Sequence, residues 1–365
     1  PRVYSPVISA IGRFACIRHH GMYFFYRNSN NMLYRSFSLI IILITMQAIS
    51  YGQNAAIDDT TLARINQHKI AITRGGSRAY DFLGNMIDSQ RIIGLGEGTH
   101  GTSEFQEARA QMIRYLVSER GFNVVCFENS YGWSKPLNDY ILHGKGNLDT
   151  LMRSRLLGIW QTQEVKTLLE WMRDYNRHHA KQVVFAGMDF SELSENALSL
   201  QSILKQLGES SLDSLSATML QHCQYLDQVY QDFNKPVQTN RQQWLAAGVA
   251  VYKTNMAIHR QLDANEHNYR RRLTGSRWQE LQGCLLNNKL AAYMIYRPVK
   301  EHLEASRDSS MAAMVQWMAD NDPQARLILW AHNAHVAKQG FFDDNNGGGM
   351  GKYLQQRYGR SYFCI

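Results

Sequence analysis

The sequence has few prolines, few cysteines and a low share of charged residues. Among its 365 residues there are only 6 prolines and 5 cysteines, and charged residues account for 19%. No CxxC pair occurs, which excludes a zinc ribbon and a thioredoxin-type redox motif. Hydrophobic residues make up 44%, so the chain is long and apolar enough to bury a sizeable core. A globular protein of one large domain or two modest ones is therefore predicted.

Several catalytic signatures are also missing. There is no G-x-S-x-G elbow, which excludes the usual serine hydrolase site, and no H-E-x-x-H zinc motif. The glycine-rich turn GLGEGTHG (94–101) does not match the Walker pattern. It also lacks a full dinucleotide fingerprint, because the last glycine of that fingerprint would fall at Thr99. Nucleotide sites of these two kinds are therefore not predicted.

The spacing of the cysteines does not decide how they are used. Cys126 lies inside an apolar run and is predicted to be a core residue. Cys223 and Cys284 could form a disulfide in an oxidising compartment, and spacing alone leaves that pairing open.

The net charge of +8 comes largely from the first 50 residues. That segment holds five arginines and no acidic residue. Removing these five from the 39 basic residues leaves 34 against 31 acidic ones, a net charge of +3. The remainder shows no basic stripe interleaved with aromatic residues, so nucleic acid is not predicted as a partner.

The N-terminal segment has the pattern of a secretory signal. Met32 precedes a short basic region and the apolar run SFSLIIILITMQAIS, and small residues suit cleavage after Ser50. We therefore expect residues 1–31 to be upstream, non-native sequence, residues 32–50 to be a signal peptide, and residues 51–365 to be the exported domain. The predicted location is a bacterial periplasm, without stable membrane association after cleavage, or the cytoplasm if the leader is not used. An uncleaved membrane anchor is the alternative, although the run is shorter than the ~20 residues of a transmembrane helix.

Four short apolar runs alternate with amphipathic segments. The runs are continuous, which is typical of strands buried on both faces of a parallel sheet. They are RIIGLG (91–96), NVVCFE (123–128), QVVFAGMD (182–189) and RLILWAH (326–332). The amphipathic segments predict helices at 103–120, 165–178 and 311–320. This order predicts an α/β fold, with a mostly parallel central sheet flanked by helices. Residues 195–300 carry no convincing strand and are predicted to form an inserted helical cap.

Titratable residues follow the predicted strands at the points where the strands end. Parallel strands present their carboxyl ends at one edge of a sheet, where ligands bind in open α/β folds. The residues expected to converge there are Glu97, His100 and Glu104 after the first run, Glu128 after the second, Asp189 after the third, and His332 and His335 after the fourth. A histidine oriented by a carboxylate can take a proton from water, and further histidines or an arginine can stabilise an oxyanion. Ester hydrolysis is the reaction that this set favours.

Each of these residues also has an alternative role. Glu104 can stabilise the positive end of a helix dipole, Asp189 can cap the following helix, and His335 can be a core histidine. Arg109 can be an exposed helix arginine or the partner of a strand-end carboxylate. Metal binding is the chemical alternative, because two histidines and carboxylates can hold zinc.

The sequence resembles the erythromycin esterase family from about residue 60 to its end. The motifs that carry the resemblance are GEGTHGTSEF, FNVVCFENS, the segment from Trp160 through Glu164 to WMRDYN, GMD, the RDSSMA run and LWAHNAHVAK. The resemblance implies an α/β core with a helical cap over a deep cleft. It also implies hydrolysis of the macrolactone ester of macrolide antibiotics such as erythromycin, which confers macrolide resistance.

The resemblance assigns roles motif by motif. His100 is the implied general base, and the implied catalytic partners are Glu97, Glu128, Arg109, His332 and His335. Glu104 also matches a family motif, and we expect Glu104 and Asp189 to bind the substrate. A macrolide and water are the expected reactants. No cofactor is expected, and a divalent metal stays an alternative that is not expected to be obligatory. Because the chain stops at SYFCI, in a late strand, we expect it to be shortened at its C-terminus relative to the family.

Three other functions stay open at this point. The chain could be a general carboxylic-ester or lactone hydrolase, or a metallohydrolase of the same fold. It could also be a periplasmic small-molecule binding protein that uses the same cleft without turnover. The sequence does not predict an oligomeric state.

Overall fold

The computed structural model describes residues 59–69, 77–87, 89–231, 241–303, 306–339 and 349–365. The chain divides into two compact units, Pro1–Ala71 and Ile72–Ile365. In the first unit the described residues form one helix, α1 (Asp59–His68). The predicted upstream segment (1–31) and signal peptide (32–50) lie outside the described residues. Of the helices that are described, none is long and apolar enough to cross a membrane.

The second unit is built on a parallel β-sheet. Its strands are β1 (Ile92–Glu97), β2 (Val124–Ser130), β3 (Val184–Asp189), β4 (Leu327–His332) and β5 (Tyr362–Cys364). They lie in the order β3-β2-β4-β1-β5, and each neighbouring pair is parallel. The predicted α/β class with a parallel central sheet is therefore confirmed. Strand β2 runs past the predicted end at Glu128, because Asn129 and Ser130 continue it.

Helices make up most of the rest of this unit. In chain order they are α2 (Asp81–Met86), α3 (Ser103–Arg120), α4 (Tyr131–His143), α5 (Leu148–Arg155), α6 (Gln163–His178), α7 (Ser194–Lys205), α8 (Ser210–Gln231), α9 (Arg241–Ala264), α10 (Glu266–Arg272), α11 (Gly275–Tyr296), α12 (Arg307–Asn321), α13 (Asn333–Val336) and α14 (Met350–Tyr358). Short 3₁₀ turns occur at Ser77–Tyr80, Gly158–Trp160 and Gly359–Ser361, and a π-helical turn at Arg297–Glu301.

Alternate residues of each strand pack into two different hydrophobic clusters, one on each face of the sheet. On one face Phe127 and Trp330 are fully buried with residues of α3, α4 and α6. On the other face Leu327 and Leu329 pack with residues of α12 and α14. Complete burial of a large apolar side chain stabilises a fold by about 1.5–3 kcal/mol. The sheet is thus held rigid from both sides, which fixes the positions of its carboxyl ends.

Two predicted helices begin earlier than their apolar pattern indicated. Helix α6 is preceded by Thr162, whose hydroxyl accepts a hydrogen bond from the backbone N–H of Val165 at 3.3 Å. Helix α12 is preceded by Ser306, whose hydroxyl accepts from the N–H of Ser309 at 3.3 Å. Such caps stabilise a first helical turn that has no apolar residue to reveal it. The earlier start of α12 brings Arg307 and Asp308 into the helix.

The segment predicted as a helical cap consists, over its described residues, of helices α7 to α11. These helices have a hydrophobic core of their own, which includes Leu200, Met219, Val251, Trp278 and Leu285. A buried hydrogen bond joins this layer to the sheet, because the side chain of Asn287 donates to the backbone carbonyl of Asp189 at 3.0 Å.

The cysteines of the described residues are free thiols. Cys223 and Cys284 are both buried and unpaired, so the disulfide that their spacing left open is not formed. Instead, the ammonium of Lys135 donates to the Sγ atom of Cys284 at 2.7 Å. Cys126 is a fully buried core residue, as its apolar surroundings predicted.

Two carboxyl groups are buried together at the start of α7. Glu192 is 4% exposed and accepts a hydrogen bond from the backbone N–H of Glu195 at 2.5 Å. Asp227 of α8 is 9% exposed and accepts from the backbone N–H groups of Leu193 and Ser194 at 3.0 and 2.8 Å. Burial and the neighbouring Asp227 carboxylate raise the pKa of Glu192 to about 8. Glu192 therefore holds a proton at neutral pH.

This proton makes the stability of the fold depend on pH. Glu192 keeps its proton in the folded chain up to about pH 8, whereas the unfolded chain releases it in the ordinary carboxyl range. The free energy of unfolding should therefore fall as pH rises from the ordinary carboxyl range to about 8. We expect Glu192→Gln, which cannot ionise, to gain stability relative to the unmodified chain as pH rises through this window. Urea unfolding at about pH 6 and about pH 9 measures the change.

Glu119→Gln is the matched control, because Glu119 is exposed on α3. It should leave the pH dependence of unfolding unaltered. An identical pH dependence in Glu192→Gln and the unmodified chain would show that Glu192 is ionised in the folded state.

Candidate active site

Side chains from four neighbouring strands lie along the carboxyl edge of the sheet. Across the sheet the order is Asp189 on β3, Glu128 on β2, His332 on β4 and Glu97 on β1. Glu97 and His332 are register partners in the β1–β4 pair. His100 follows β1 in the turn before α3, and His335 follows β4 within α13. The structure thus brings together six of the eight residues nominated from the sequence.

The end of β1 needs glycine for space. A Cβ atom on Gly96 would overlap the side-chain oxygen of Asn333, which follows β4, and would lie 3.0 Å from a methyl carbon of Val336. The side chains of Asn333 and Val336 can therefore pack closely against the end of β1 because Gly96 has no side chain.

His100 is held by a buried carboxylate. Its Nδ1 atom lies 2.5 Å from Oε1 of Glu97, and the Glu97 side chain is 0% exposed. The other oxygen, Oε2 of Glu97, accepts from the indole N–H of Trp330 at 3.0 Å. A carboxylate accepts hydrogen bonds and cannot donate them, so the imidazole proton lies on Nδ1 of His100. The Nε2 atom of His100 is then the basic nitrogen, and the ring is 35% exposed.

His332 presents the opposite tautomer. Its Nδ1 atom accepts a hydrogen bond from the backbone N–H of Ala334 at 3.2 Å. An Nδ1 atom that accepts carries no proton, so the proton of this ring lies on Nε2. The centroids of the His100 and His332 rings are 5.4 Å apart. One ring can thus accept a proton while its neighbour donates a hydrogen bond.

Arg109 lies under the His100 turn rather than in solvent. Its Nε donates to the backbone carbonyl of Gly96 at 2.5 Å. Burial lowers the pKa of Arg109, and the Glu97 carboxylate partly offsets that effect. Arg109 is therefore not an exposed helix arginine. The charge that faces it is the strand-end carboxylate of Glu97, as the other interpretation predicted.

Glu128 is the centre of a second cluster. Its Oε1 accepts from Nη2 of Arg307 at 2.9 Å and faces Nε2 of His335 at 3.3 Å, and its Oε2 accepts from the backbone N–H of His332 at 3.1 Å. Burial raises the pKa of Glu128, but His335, Arg307 and the His332 N–H outweigh burial and lower it to about 2. Glu128 is therefore ionised at neutral pH and fixes the end of β4.

His335 is held through both ring nitrogens. Its Nδ1 lies 2.7 Å from Oδ1 of Asp308, and its Nε2 lies 3.3 Å from Oε1 of Glu128. Burial lowers the pKa of His335, but the hydrogen bonds and charges of Asp308 and Glu128 outweigh burial and raise it to about 9. His335 is therefore a cation at neutral pH, and it is not the core histidine of the alternative interpretation.

The two residues nominated for substrate binding differ in their surroundings. Glu104 is exposed in the first turn of α3, and within the described ranges it has no ion pair with the other site residues. Asp189 is buried, and Arg307 donates to both of its carboxylate oxygens, at 2.5 and 3.2 Å. Its Oδ1 also accepts from the N–H of Phe190 at 2.9 Å. Asp189 is thus engaged in holding Arg307, and Glu104 sits where a helix dipole favours a carboxylate.

Arg307 and Asp308 were not nominated from the sequence. They belong to the RDSSMA run, which carried the family resemblance but had no assigned role. Both lie at the start of α12. Burial lowers the pKa of Arg307, but Asp189 and Glu128 raise it by more, so Arg307 is a cation at neutral pH. The local signal that could have identified them is their position directly after Ser306, the serine that caps α12.

Two further residues support the His100 turn. Gln106 is buried, and its side-chain amide donates to the backbone carbonyls of His100 and Ile159 at 3.1 and 3.3 Å. Trp160 contacts the His100 ring edge-on at 6.0 Å between centroids and donates to the carbonyl of Glu128 at 3.0 Å. Gln106 and Trp160 therefore tie the turn to the connection between α5 and α6.

The positions of the histidine and carboxylate side chains can be compared with those that a metal ion would need. Within the part of the chain that the structure describes, no group of three or more His, Cys, Asp and Glu side chains has the geometry to hold a metal ion. His100 is instead engaged with Glu97, and His335 with Asp308.

The chain is similar to hydrolases of known sequence. It is 23% identical over 347 residues to "Putative hydrolase YbfO" of Bacillus subtilis, covering 90% of this chain and 76% of that protein. It is 24% identical over 294 residues to erythromycin esterase type I of Escherichia coli, covering 76% of this chain and 70% of that protein.

The fold is similar to that of a solved esterase structure. A mutant of the erythromycin esterase EreC in its open conformation superposes with a TM-score of 0.63, at 20% identity, over 81% of this chain and 74% of that one. The family model for erythromycin esterase matches residues 117–365. The chain is therefore a hydrolase that belongs to the erythromycin esterase family.

Proposed function

We propose that the chain hydrolyses the macrolactone ester of a macrolide antibiotic by water that His100 activates. The observation that carries this proposal is the pair of opposite tautomers at the end of β1 and β4. Nδ1 of His100 is engaged by Glu97, and Nδ1 of His332 accepts a backbone hydrogen bond. One ring therefore offers a base and the other a hydrogen-bond donor, which are the two functions that ester hydrolysis needs.

His100 is the proposed general base. Its Nε2 takes a proton from water as the water oxygen attacks the ester carbonyl carbon. Positive charge then develops on the imidazole, and the Glu97 carboxylate 2.5 Å from Nδ1 stabilises it. Trp330 keeps that carboxylate in place through its indole N–H. The same histidine can afterwards return the proton to the leaving alkoxide.

His332 is proposed to stabilise the oxyanion. Its ring lies beside that of His100, with ring centroids 5.4 Å apart, and its Nε2–H is the proposed donor. Glu128 holds the His332 backbone and so keeps this donor in position before the reaction begins. Donors that are already oriented contribute most of their effect in the transition state, because they need no reorganisation.

Similarity supports a macrolide as substrate. The family model and two curated relatives carry the name erythromycin esterase. The relative that covers 90% of this chain is named only as a hydrolase, which favours a lactone or simple carboxylic ester as the second candidate. The proposed catalytic residues are the same for both substrates, so residues outside this set must decide which substrate is preferred.

A substrate panel tests the proposal. The protein is incubated with erythromycin, with macrolides of other ring sizes and with simple esters, and each product is weighed by mass spectrometry. We expect erythromycin to gain the mass of one water, and dialysis against a chelator to leave the rate unchanged. Turnover of simple esters alone would favour the second candidate. Activity that is lost with chelation and restored by one stoichiometric metal would favour the metallohydrolase, and bound but unchanged macrolide would indicate a binding protein.

A further inference from the structure

Asp308 occupies a position between three separate segments of the chain. It lies in the first turn of α12, and its Oδ1 accepts from Nδ1 of His335 at 2.7 Å. The same oxygen accepts from the backbone N–H of Met350, the first residue of α14, at 2.8 Å. Its side chain is 24% exposed, and that of His335 is 18% exposed. One carboxylate therefore joins the starts of α12 and α14 to the histidine after β4.

We propose that Asp308 is a positioning residue for the hydrolytic site, which fixes the orientation and the positive charge of His335. This role rests on the proposed function for its effect on turnover. It does not touch the reacting atoms. It acts through His335, in the way that a carboxylate behind a catalytic imidazole holds the ring in one orientation.

The charges around His335 explain why such a residue is needed. Nη1 of Arg307 lies 3.3 Å from Nε2 of His335, so a guanidinium faces the imidazole. Arg307 would favour a neutral ring, because like charges repel. Glu128 faces the same nitrogen at 3.3 Å but is shared with Arg307. Asp308 approaches from the opposite side of the ring, is not an ion-pair partner of Arg307 among the described contacts, and so tips the balance towards imidazolium.

A cationic His335 has a consequence for the site. Glu128 then lies between two cations, Arg307 and His335, and stays ionised and fixed. Since Glu128 also accepts from the His332 backbone N–H, its position sets that of the His332 ring. Asp308 thus influences the proposed oxyanion donor through three contacts, from Asp308 to His335, from His335 to Glu128 and from Glu128 to the backbone of His332.

The test compares Asp308→Asn with the control Asp139→Asn, because Asp139 is exposed on α4. An asparagine at position 308 keeps an oxygen that can accept from Met350 and His335 but removes the negative charge. The imidazole of His335 is titrated by nitrogen NMR in histidine-labelled protein, with a His335→Gln variant to assign its signal. We expect its pKa, about 9 in the unmodified protein, to fall clearly in Asp308→Asn and to stay in place in Asp139→Asn.

Turnover provides the second readout. In Asp308→Asn we expect kcat to fall about 10- to 100-fold with little change in KM, the size of effect found when a metal-binding histidine loses the group that orients it. An unchanged His335 titration with unchanged kcat would overturn the inference. The titration needs no substrate, so its outcome is separate from whether the protein hydrolyses macrolides. Asp308→Ala, which also loses the bond to Met350, should unfold at a lower temperature than Asp308→Asn, and equal temperatures would contradict the tie to α14.

Discussion

Replacing His100 by asparagine should lower kcat by about 10²–10⁴-fold, the usual effect of removing a general base. The reason is the arrangement of the ring, whose Nδ1 is fixed by Glu97 and whose Nε2 is the nitrogen left to accept a proton. Asparagine can still bond to Glu97 but cannot take a proton at neutral pH. The turn is partly exposed and glycine-rich, so the fold should persist. Steady-state kinetics with the preferred ester, together with circular dichroism, measures both effects.

His267→Asn is the control for this substitution, because His267 is exposed on α10. It should leave kcat and the unfolding curve unchanged. Near-native turnover in a folded His100→Asn protein would mean that another group activates the water, and the proposed mechanism would then be wrong.

Replacing Arg307 by methionine should lower the free energy of unfolding by about 2–3 kcal/mol. The change leaves the buried carboxylate of Asp189 without its cation and removes one of the two cations beside Glu128. Loss of one partner from a fully buried pair costs about 3–5 kcal/mol. Arg307 is itself 39% exposed, so solvent reduces that figure. Urea unfolding measures the loss, and kcat should fall with it because Glu128 positions His332.

Two further variants make this prediction specific. Arg307→Lys keeps the charge but cannot donate to both oxygens of Asp189 as the guanidinium does, so it should recover only part of the stability. Arg271→Met, at an exposed position on α10, should have little effect. Equal stability of Arg307→Met and the unmodified chain would show that the two carboxylates do not depend on Arg307.

Local sequence pattern was sufficient for the sheet and for the residues at its edge. Continuous apolar runs predict buried parallel strands, and the alternation with helices predicts that their carboxyl ends meet. Glu97, Glu128 and His332 follow from that rule, because each lies in a strand and its position depends only on the strand. His100 follows because its turn is short, so it cannot lie far from the end of β1.

The rest of the site depended on tertiary contacts that no local pattern contains. Arg307 and Asp308 reach the site from the start of a helix. The packing of α12 beside the sheet places Arg307 next to β2 and β3 and Asp308 next to His335. Glu104 is close in sequence to His100, but it lies on an outward side of the first turn of α3 and is exposed. Asp189 is at the predicted edge, yet the unforeseen Arg307 occupies both of its oxygens.

The protonation states of the site histidines likewise could not be predicted from the sequence. Which nitrogen of His100 or His332 carries a proton depends on its hydrogen-bond partner, and those partners are a strand-end carboxylate and a backbone N–H. The charge on His335 depends on Asp308, which is 27 residues away in the chain. The strand-end rule and the motif resemblance nominated the residues, whereas the hydrogen-bond geometry is the basis for the roles proposed for them.

The most direct test of histidine-activated water attack is a single turnover in heavy-oxygen water, with enzyme in excess over the preferred ester. If water attacks the ester carbon directly, the acid product of the first turnover carries one heavy oxygen in its carboxylate and none in the alcohol. His100→Asn should abolish the rapid formation of this labelled product. If a carboxylate such as Glu97 attacked first, it would release the alcohol and form a mixed anhydride. Attack of water on the glutamate carboxyl carbon of that anhydride would leave the heavy oxygen on the enzyme, and the acid product would take its new oxygen from the protein. An unlabelled first-turnover product would therefore contradict the proposed mechanism.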